Sequence, residues 1–96
     1  MLSIVNVPDM AGALELLHAH PQGNTTSIFT TSGKAARDFA MQAPPAMVGV
    51  NVGVAAPMAF FPFGGSKESF FGDVKATGRD SVVFYTDQKV VIERWF

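Results

Sequence analysis

The residue types that could do chemistry are few, and their spacing argues against most of it. His18 and His20 form a His-x-His pair. On a helix these positions lie about 200° apart around the axis, so they cannot grip one metal ion. They read as exposed histidines at a helix end, where a cation is favourable to the dipole. Phe63-Gly-Gly-Ser-Lys67 has the look of a phosphate loop. It lacks the Gly-x-x-x-x-Gly-Lys-Ser/Thr spacing and does not sit between a strand and a helix. Gly49-Val-Asn-Val-Gly53 is no dinucleotide fingerprint, which needs Gly-x-Gly-x-x-Gly opening a helix. Glu68, Asp73 and Glu93 show no pairing suited to acid–base work, and no Ser sits in a Gly-x-Ser-x-Gly elbow. The chain has no Cys, so these residues hold no disulfide, thiolate zinc site or cysteine nucleophile.

What remains is one apolar stretch, Pro57 to Asp73. It holds five of the nine Phe, two of the six Pro and three of the nine Gly. Neither helical nor strand periodicity fits it. Pro57 and Pro62 remove backbone donors and fix φ. A loop this rich in Phe is not a solvated linker. It lies against something, either lining a ligand pocket or interface or plugging the end of a core.

The elements that must position this loop alternate in type. Leu2 to Val7 reads as a short strand stopped by Pro8. Asp9 is a good N-cap, and Met10, Ala13, Leu14 and Leu17 follow on one helical face. That helix ends near His20, because Pro21 disfavours helical angles before it. Gly23-Asn24 gives a turn, and Thr26 to Thr30 a brief strand. The glycosylation pattern at Asn24-Thr25-Thr26 reads as part of that turn. Ser32 caps a helix from about Gly33 to Ala43, with Ala36, Phe39, Ala40 and Ala43 inward. Pro44-Pro45 ends it. Met47 to Val52 is a short apolar strand suited to burial on both faces of a parallel sheet. Residues 53 to 77 form a loop too long for an ordinary connection. Ser81 to Gln88 is ambiguous, with Asp80 available to cap a short helix. Lys89 to Phe96 is a strand by composition, and its edge must be paired or covered. The fold class is α/β: strand, helix, strand, helix, strand, long loop, terminal strand.

Ninety-six residues make at most one small domain with a modest core. Hydrophobic residues are 48% and charged residues 16% of the total, against roughly a quarter charged in ordinary soluble domains. Such a chain oligomerises or is a piece of something larger. A net charge of −1 with no basic run argues against nucleic acid or an acidic membrane surface as partner. No apolar run reaches the roughly 18 residues of a membrane span. The first residues carry no basic region, so they do not form a signal peptide.

Five ordered motifs carry a resemblance. They are Gly23-Asn24 followed by Ser27-Ile-Phe-Thr30, then Gly33-x-Ala35-Ala-Arg37, then Met47-Val-Gly-Val-Asn51. Pro57-Met-Ala-Phe-Phe-Pro-Phe-Gly-Gly-x-Lys67 and Phe84-Tyr-Thr86-x-x-Lys89 come next. The chain resembles the aldehyde dehydrogenase superfamily. Within it, Pro57 to Phe63, Asp73 after Ser69-Phe-Phe-Gly72, and Arg94-Trp95 are similar to the CoA-acylating methylmalonate-semialdehyde (malonate-semialdehyde) branch.

The resemblance implies the C-terminal fifth of such an enzyme. It implies residues 1–52 as the end of the catalytic-domain α/β layer and 53–77 as a pocket and packing loop. Residues 78–96 become a short helix or turn and an oligomerisation strand. The parent enzyme would use a cysteine thiolate on the aldehyde, NAD for the hydride and CoA as acyl acceptor. Its catalytic Cys, general-base Glu and NAD-binding elements would lie upstream of Met1. This chain alone would bind neither cofactor and would be inactive. By resemblance, Asn51 and Val52 to Met58 line or approach the substrate entrance. Phe63 forms an apolar wall near the catalytic thiol. Phe60, Phe61, Phe70 and Phe71 are expected to pack in a core. No Arg matches a substrate-carboxylate position. The expected partners are a small semialdehyde and, through Lys89 to Phe96, further copies of the chain, in the cytoplasm. The competing view is a non-catalytic assembly module derived from the family's C-terminus. A separate small α/β binding module is a third. On burial arithmetic the chain alone is not expected to fold stably.

Overall fold

Two side-chain caps set where the first two helices begin. The computed structural model describes all residues from Met1 to Phe96. The Asp9 carboxylate accepts from the Gly12 N–H at 2.9 Å, opening α1 (Met10–Ala19). The Ser32 hydroxyl accepts from the Ala35 N–H at 3.2 Å, opening α2 (Gly33–Gln42). Each satisfies a donor that has no partner within its helix. Both helices stop one residue before a proline, at His20 and Ala43, where the backbone turns extended.

Between them run β1 (Gln22–Gly23) and β2 (Thr25–Ile28), and β3 (Met47–Val50) follows α2. β2 and β3 pair in parallel, from Thr25 opposite Met47 to Ile28 opposite Val50. The crossover between them is α2, the βαβ unit that strand–helix–strand alternation implies. The long loop then carries β4 (Ser66–Lys67), which pairs antiparallel with β1, placing Gly23 opposite Ser66. α3 (Arg79–Tyr85) closes the regular structure.

The packing is thin. Leu14 on α1 and Phe39 on α2 are the buried hydrophobic residues. Met10, Ala13 and Leu17 are half-buried beside Leu14. On α2, Ala36 and Ala43 are half-buried, but Ala40 is exposed, so the covered stripe is narrower than the periodicity suggests. β3 has a neighbour on one edge only, and Val50 is 40% exposed rather than buried on both faces. The chain spans 72 × 28 × 22 Å. Its accessible surface is 8066 Å² at 10.3 kDa, whereas a compact monomer of that mass exposes about 5,400 Å². Its radius of gyration is 18.5 Å, against about 12.5 Å for a compact domain of this length.

The segments expected as strands at either end differ from the expectation. Leu2 to Val7 and Lys89 to Phe96 run without strand structure, and their apolar side chains are exposed. The reason is physical: a strand is a paired object, and neither segment pairs with a strand of this chain. Composition alone supplies the propensity and not the ladder. Asp80 does not cap α3. Gly78 holds the N-cap position, and the Asp80 carboxylate accepts instead from the Lys75 N–H at 3.0 Å. Phe60, Phe61 and Phe71 are 66%, 55% and 99% exposed, so they pack in no core of this chain. Phe70 is half-buried under the Lys75 ammonium, 4.4 Å from its ring centroid.

Candidate functional site

The apolar loop is held by three connections. The first is a strap. Gly78 N–H donates to the Ala59 carbonyl at 3.1 Å, and Ala76 N–H donates to the Phe63 carbonyl at 2.9 Å. Between them, the Thr77 hydroxyl donates to the Phe61 carbonyl at 2.6 Å. Residues 59 to 63 are thus fastened along 76 to 78. Gly78 is required there: its φ is +70°, and a Cβ would lie 2.7 Å from the Phe60 carbonyl oxygen.

The second connection ties Ser66 to β1. The Ser66 hydroxyl is shared between the Gly23 carbonyl at 2.8 Å and the Pro44 carbonyl at 3.0 Å. Gly23 N–H donates to the Ser69 hydroxyl at 3.0 Å. The backbones approach so closely that a Cβ on buried Gly23 would lie 2.5 Å from the Ser66 hydroxyl.

The third connection is electrostatic. The Lys67 ammonium donates to the carbonyls of Leu17, His18 and His20 at 2.9, 2.8 and 2.9 Å. A tetrahedral cation thereby closes the negative end of α1 with all three of its donors. The Gly-Gly-Ser-Lys run that mimics a phosphate loop is therefore a helix C-cap supplied from about fifty residues away. Sequence reasoning missed this role, and no local signal marks it.

Between β3 and the loop lies an open groove of about 440 Å³. Its walls include Gly49, Val50, Val52, Val54, Pro57 and Pro62. A more open depression of about 490 Å³ flanks the strap, with Phe60, Thr77, Arg79 and Ser81 on its walls. Of the four residues expected near a substrate, Val52 lines the first groove. Phe63 is 43% exposed at the end of the strap, and Met58 is 69% exposed at the turn before it. Neither lines that groove. Asn51 is a brace: its side chain accepts from the Thr30 N–H at 2.8 Å and donates to the Thr30 carbonyl at 3.0 Å. Its own N–H donates to the Ile28 carbonyl at 2.8 Å, and its φ of 56° turns the chain out of β3. Both polar groups of the amide are occupied in locking β3 to β2.

The chemistry on offer is therefore shape. No group of three His, Cys, Asp or Glu side chains converges to hold a metal. The hydroxyls of Ser66 and Thr77 are committed to backbone carbonyls, and no base stands behind them. A displaced ionisable group lies away from the loop, on α2. The Asp38 carboxylate, by its hydrogen bond first and its charge second, raises Lys34 above 10.5. No helix is long and apolar enough to cross a membrane.

With this geometry in hand, comparison places the chain. It belongs to the aldehyde dehydrogenase family, whose sequence model matches residues 1–91. It is 52% identical over its whole length to malonate-semialdehyde dehydrogenase 2 of Shouchella clausii, strain KSM-K16. It is 49% identical over its whole length to malonate-semialdehyde dehydrogenase 1 of Bacillus licheniformis. The chain spans about 20% of the length of each of these relatives. Its fold is similar to a methylmalonate-semialdehyde dehydrogenase from Oceanimonas doudoroffii, with TM-score 0.88 and 47% identity, covering 93% of this chain and 18% of that one. A protein described as a methylmalonate-semialdehyde dehydrogenase from Sinorhizobium meliloti 1021, solved with NAD, matches with TM-score 0.86 and 45% identity, covering 91% of this chain and 18% of that one. The α/β fold of this segment is thus that of an aldehyde dehydrogenase part.

Proposed function

We propose that these residues form the C-terminal part of an NAD-dependent, CoA-acylating dehydrogenase of malonate or methylmalonate semialdehyde. The observation that carries this is the joint match to semialdehyde dehydrogenases, in sequence over the whole segment and in fold over 93% of it. The segment's own part is to build an apolar wall from the strapped loop, with Phe63 facing the reacting acyl group and Val52 and Met58 toward the entrance. Asn51 holds the exit of β3 beneath them. Residues 1–52 act as the supporting layer, 53–77 as the wall and its packing, and 78–96 as a helix followed by a segment that pairs with a second copy through Lys89 to Phe96. The excess of exposed apolar surface supports such coverage. A cytoplasmic location fits this chemistry.

The residues present do not fit NAD. A dinucleotide needs free backbone N–H groups at a helix start. No Gly-x-Gly-x-x-Gly turn opens any of the three helices; an anionic Asp9 carboxylate caps α1, the Ser32 hydroxyl caps α2, and the uncapped α3 is only seven residues long. No step is assigned to these residues through either cofactor. A polar side chain free to act as nucleophile or base is also lacking beside the wall, so the segment alone is inactive on this proposal.

The test is a hybrid. The corresponding segment of the Shouchella clausii enzyme is replaced by these 96 residues, and NADH formation is followed with malonate semialdehyde and CoA. Turnover that requires CoA supports the proposal. A folded hybrid that oxidises other aldehydes but not this one refutes the substrate assignment. Turnover by the isolated 96-residue chain refutes the division of labour.

The alternative, a free-standing assembly module, is favoured by the two exposed apolar ends alone. It predicts that the isolated chain forms a stable oligomer by light scattering.

A further inference from the structure

Lys75 joins the two sides of the turn that follows Phe63. Its ammonium donates to the Gly65 carbonyl at 2.6 Å and lies 4.4 Å above the Phe70 ring. Its own N–H is held by the Asp80 carboxylate at 3.0 Å. The next residue, Ala76, holds the Phe63 carbonyl at 2.9 Å. One short segment therefore grips the chain both immediately before and immediately after Gly64. Gly64 itself is buried, and a Cβ there would lie 2.9 Å from Lys75 Cδ and 2.9 Å from Phe70 Cε2. The methylene stem of Lys75 thus fills the inside of the turn while its charge fixes the carbonyl beyond it.

We infer that Lys75 is a positioning residue that sets the direction of the Phe63 ring and, through it, the size of acyl group the pocket admits. The inference rests on the proposal that Phe63 is the pocket wall. Two features separate Lys75 from an ordinary surface lysine. Its side chain is partly buried, with one short hydrogen bond, and it is clasped on both faces, by Gly64 and by Phe70. Removing the ammonium frees the Gly65 carbonyl and loosens the turn through Gly64 that follows Phe63, while the Ala76 N–H still holds the Phe63 carbonyl. A looser wall accommodates bulkier aldehydes better and small ones worse.

The test uses the full-length hybrid with Lys75→Met, Lys75→Arg and Phe63→Ala. The readout is the ratio of kcat/KM for malonate semialdehyde to that for a bulkier branched semialdehyde. Lys75→Met keeps the stem and removes the charge. It is expected to lower the ratio about threefold to tenfold, less than the full effect of one hydrogen bond from a charged donor because the wall is loosened and not removed. The change should fall in KM, with kcat for the small substrate unaltered. Lys75→Arg keeps a donor and stacks on the ring, and it should restore most of the ratio. Phe63→Ala should lower the ratio further than Lys75→Met. If Phe63→Ala leaves the ratio unchanged, Phe63 is not the wall, and the inference falls with that reading. If Phe63→Ala lowers the ratio but Lys75→Met does not, or Lys75→Met slows both substrates equally, the inference alone is overturned.

Discussion

Replacing Lys67 by Met in the full-length hybrid should weaken the attachment of the loop to α1 by about 1–2 kcal/mol. The side chain keeps its length and apolar stem and loses three hydrogen bonds, to Leu17, His18 and His20. A hydrogen bond from a charged donor contributes about 1.5–3 kcal/mol when its partner is left buried. Here the three carbonyls end an exposed helix, and water replaces the ammonium at each. The three bonds also share one charge, so they do not add. What survives is the cation's interaction with the helix end, about 0.3–2 kcal/mol, and the ordering of the Gly64–Ser69 turn. Hydrogen exchange read by mass spectrometry should show faster exchange in peptides covering 64–70 and 17–23, together with a lower Tm. Lys34→Met is the matched control. Lys34 also donates to an oxygen, Asp38 at 2.6 Å, but the pair is a surface i,i+4 contact. Because the Lys34 pKa is raised, whatever the pair contributes is complete below the ordinary lysine pKa and disappears only as pH rises through the higher folded value. Neutral pH therefore tests the Lys34 pair at its full strength. Equal effects from the two substitutions would mean that Lys67 is only another surface cation, and the capping argument would be wrong.

Three further outcomes follow from close approaches and braces. Gly23→Ala drives a Cβ to within 2.5 Å of the Ser66 hydroxyl and should cost about 1–3 kcal/mol by overpacking, seen as a drop in the denaturation midpoint. Gly78→Ala meets both a φ of +70° and the Phe60 carbonyl. It should free the strap and make 59–63 sensitive to limited proteolysis, whereas an unchanged digestion pattern would show that the strap is not the restraint. Asn51→Ala removes both bonds to Thr30 and should destabilise by about 1–2 kcal/mol. Its effect on KM should be no larger than that stability loss brings, because the amide faces Thr30 rather than the groove.

Local chemistry was legible in the sequence where one element determines itself. Asp9 and Ser32 cap the helices that their positions suggest, prolines end both, and the apolar Val-rich strand pairs in parallel across α2. Features that need a partner were not legible. Leu2 to Val7 and Lys89 to Phe96 have strand composition, yet neither pairs with a strand of the chain. The Lys67 cap and the Asn51–Thr30 pair join residues far apart in sequence, where no periodicity reports contact. Asp80 misled for a related reason, since the Lys75 N–H took the carboxylate that a cap would have used. The family resemblance rests on motifs in order, and it identified the semialdehyde dehydrogenase kinship that matching then supported. It did not reveal how the loop is held, because the strap, the serine tie and the lysine cap involve residues that look like ordinary turn and surface positions.

The central claim is that this segment supplies the wall and not the reactive groups. The sharpest test is a crystal structure of the hybrid trapped with an acyl group on the cysteine that the family resemblance implies. The Phe63 ring should lie in van der Waals contact with that acyl group, at about 4 Å, with no polar side chain of this segment within hydrogen-bond reach of the reacting carbon's oxygen. An acyl group lying elsewhere, with Phe63 pointing to solvent or into a subunit interface, would contradict it.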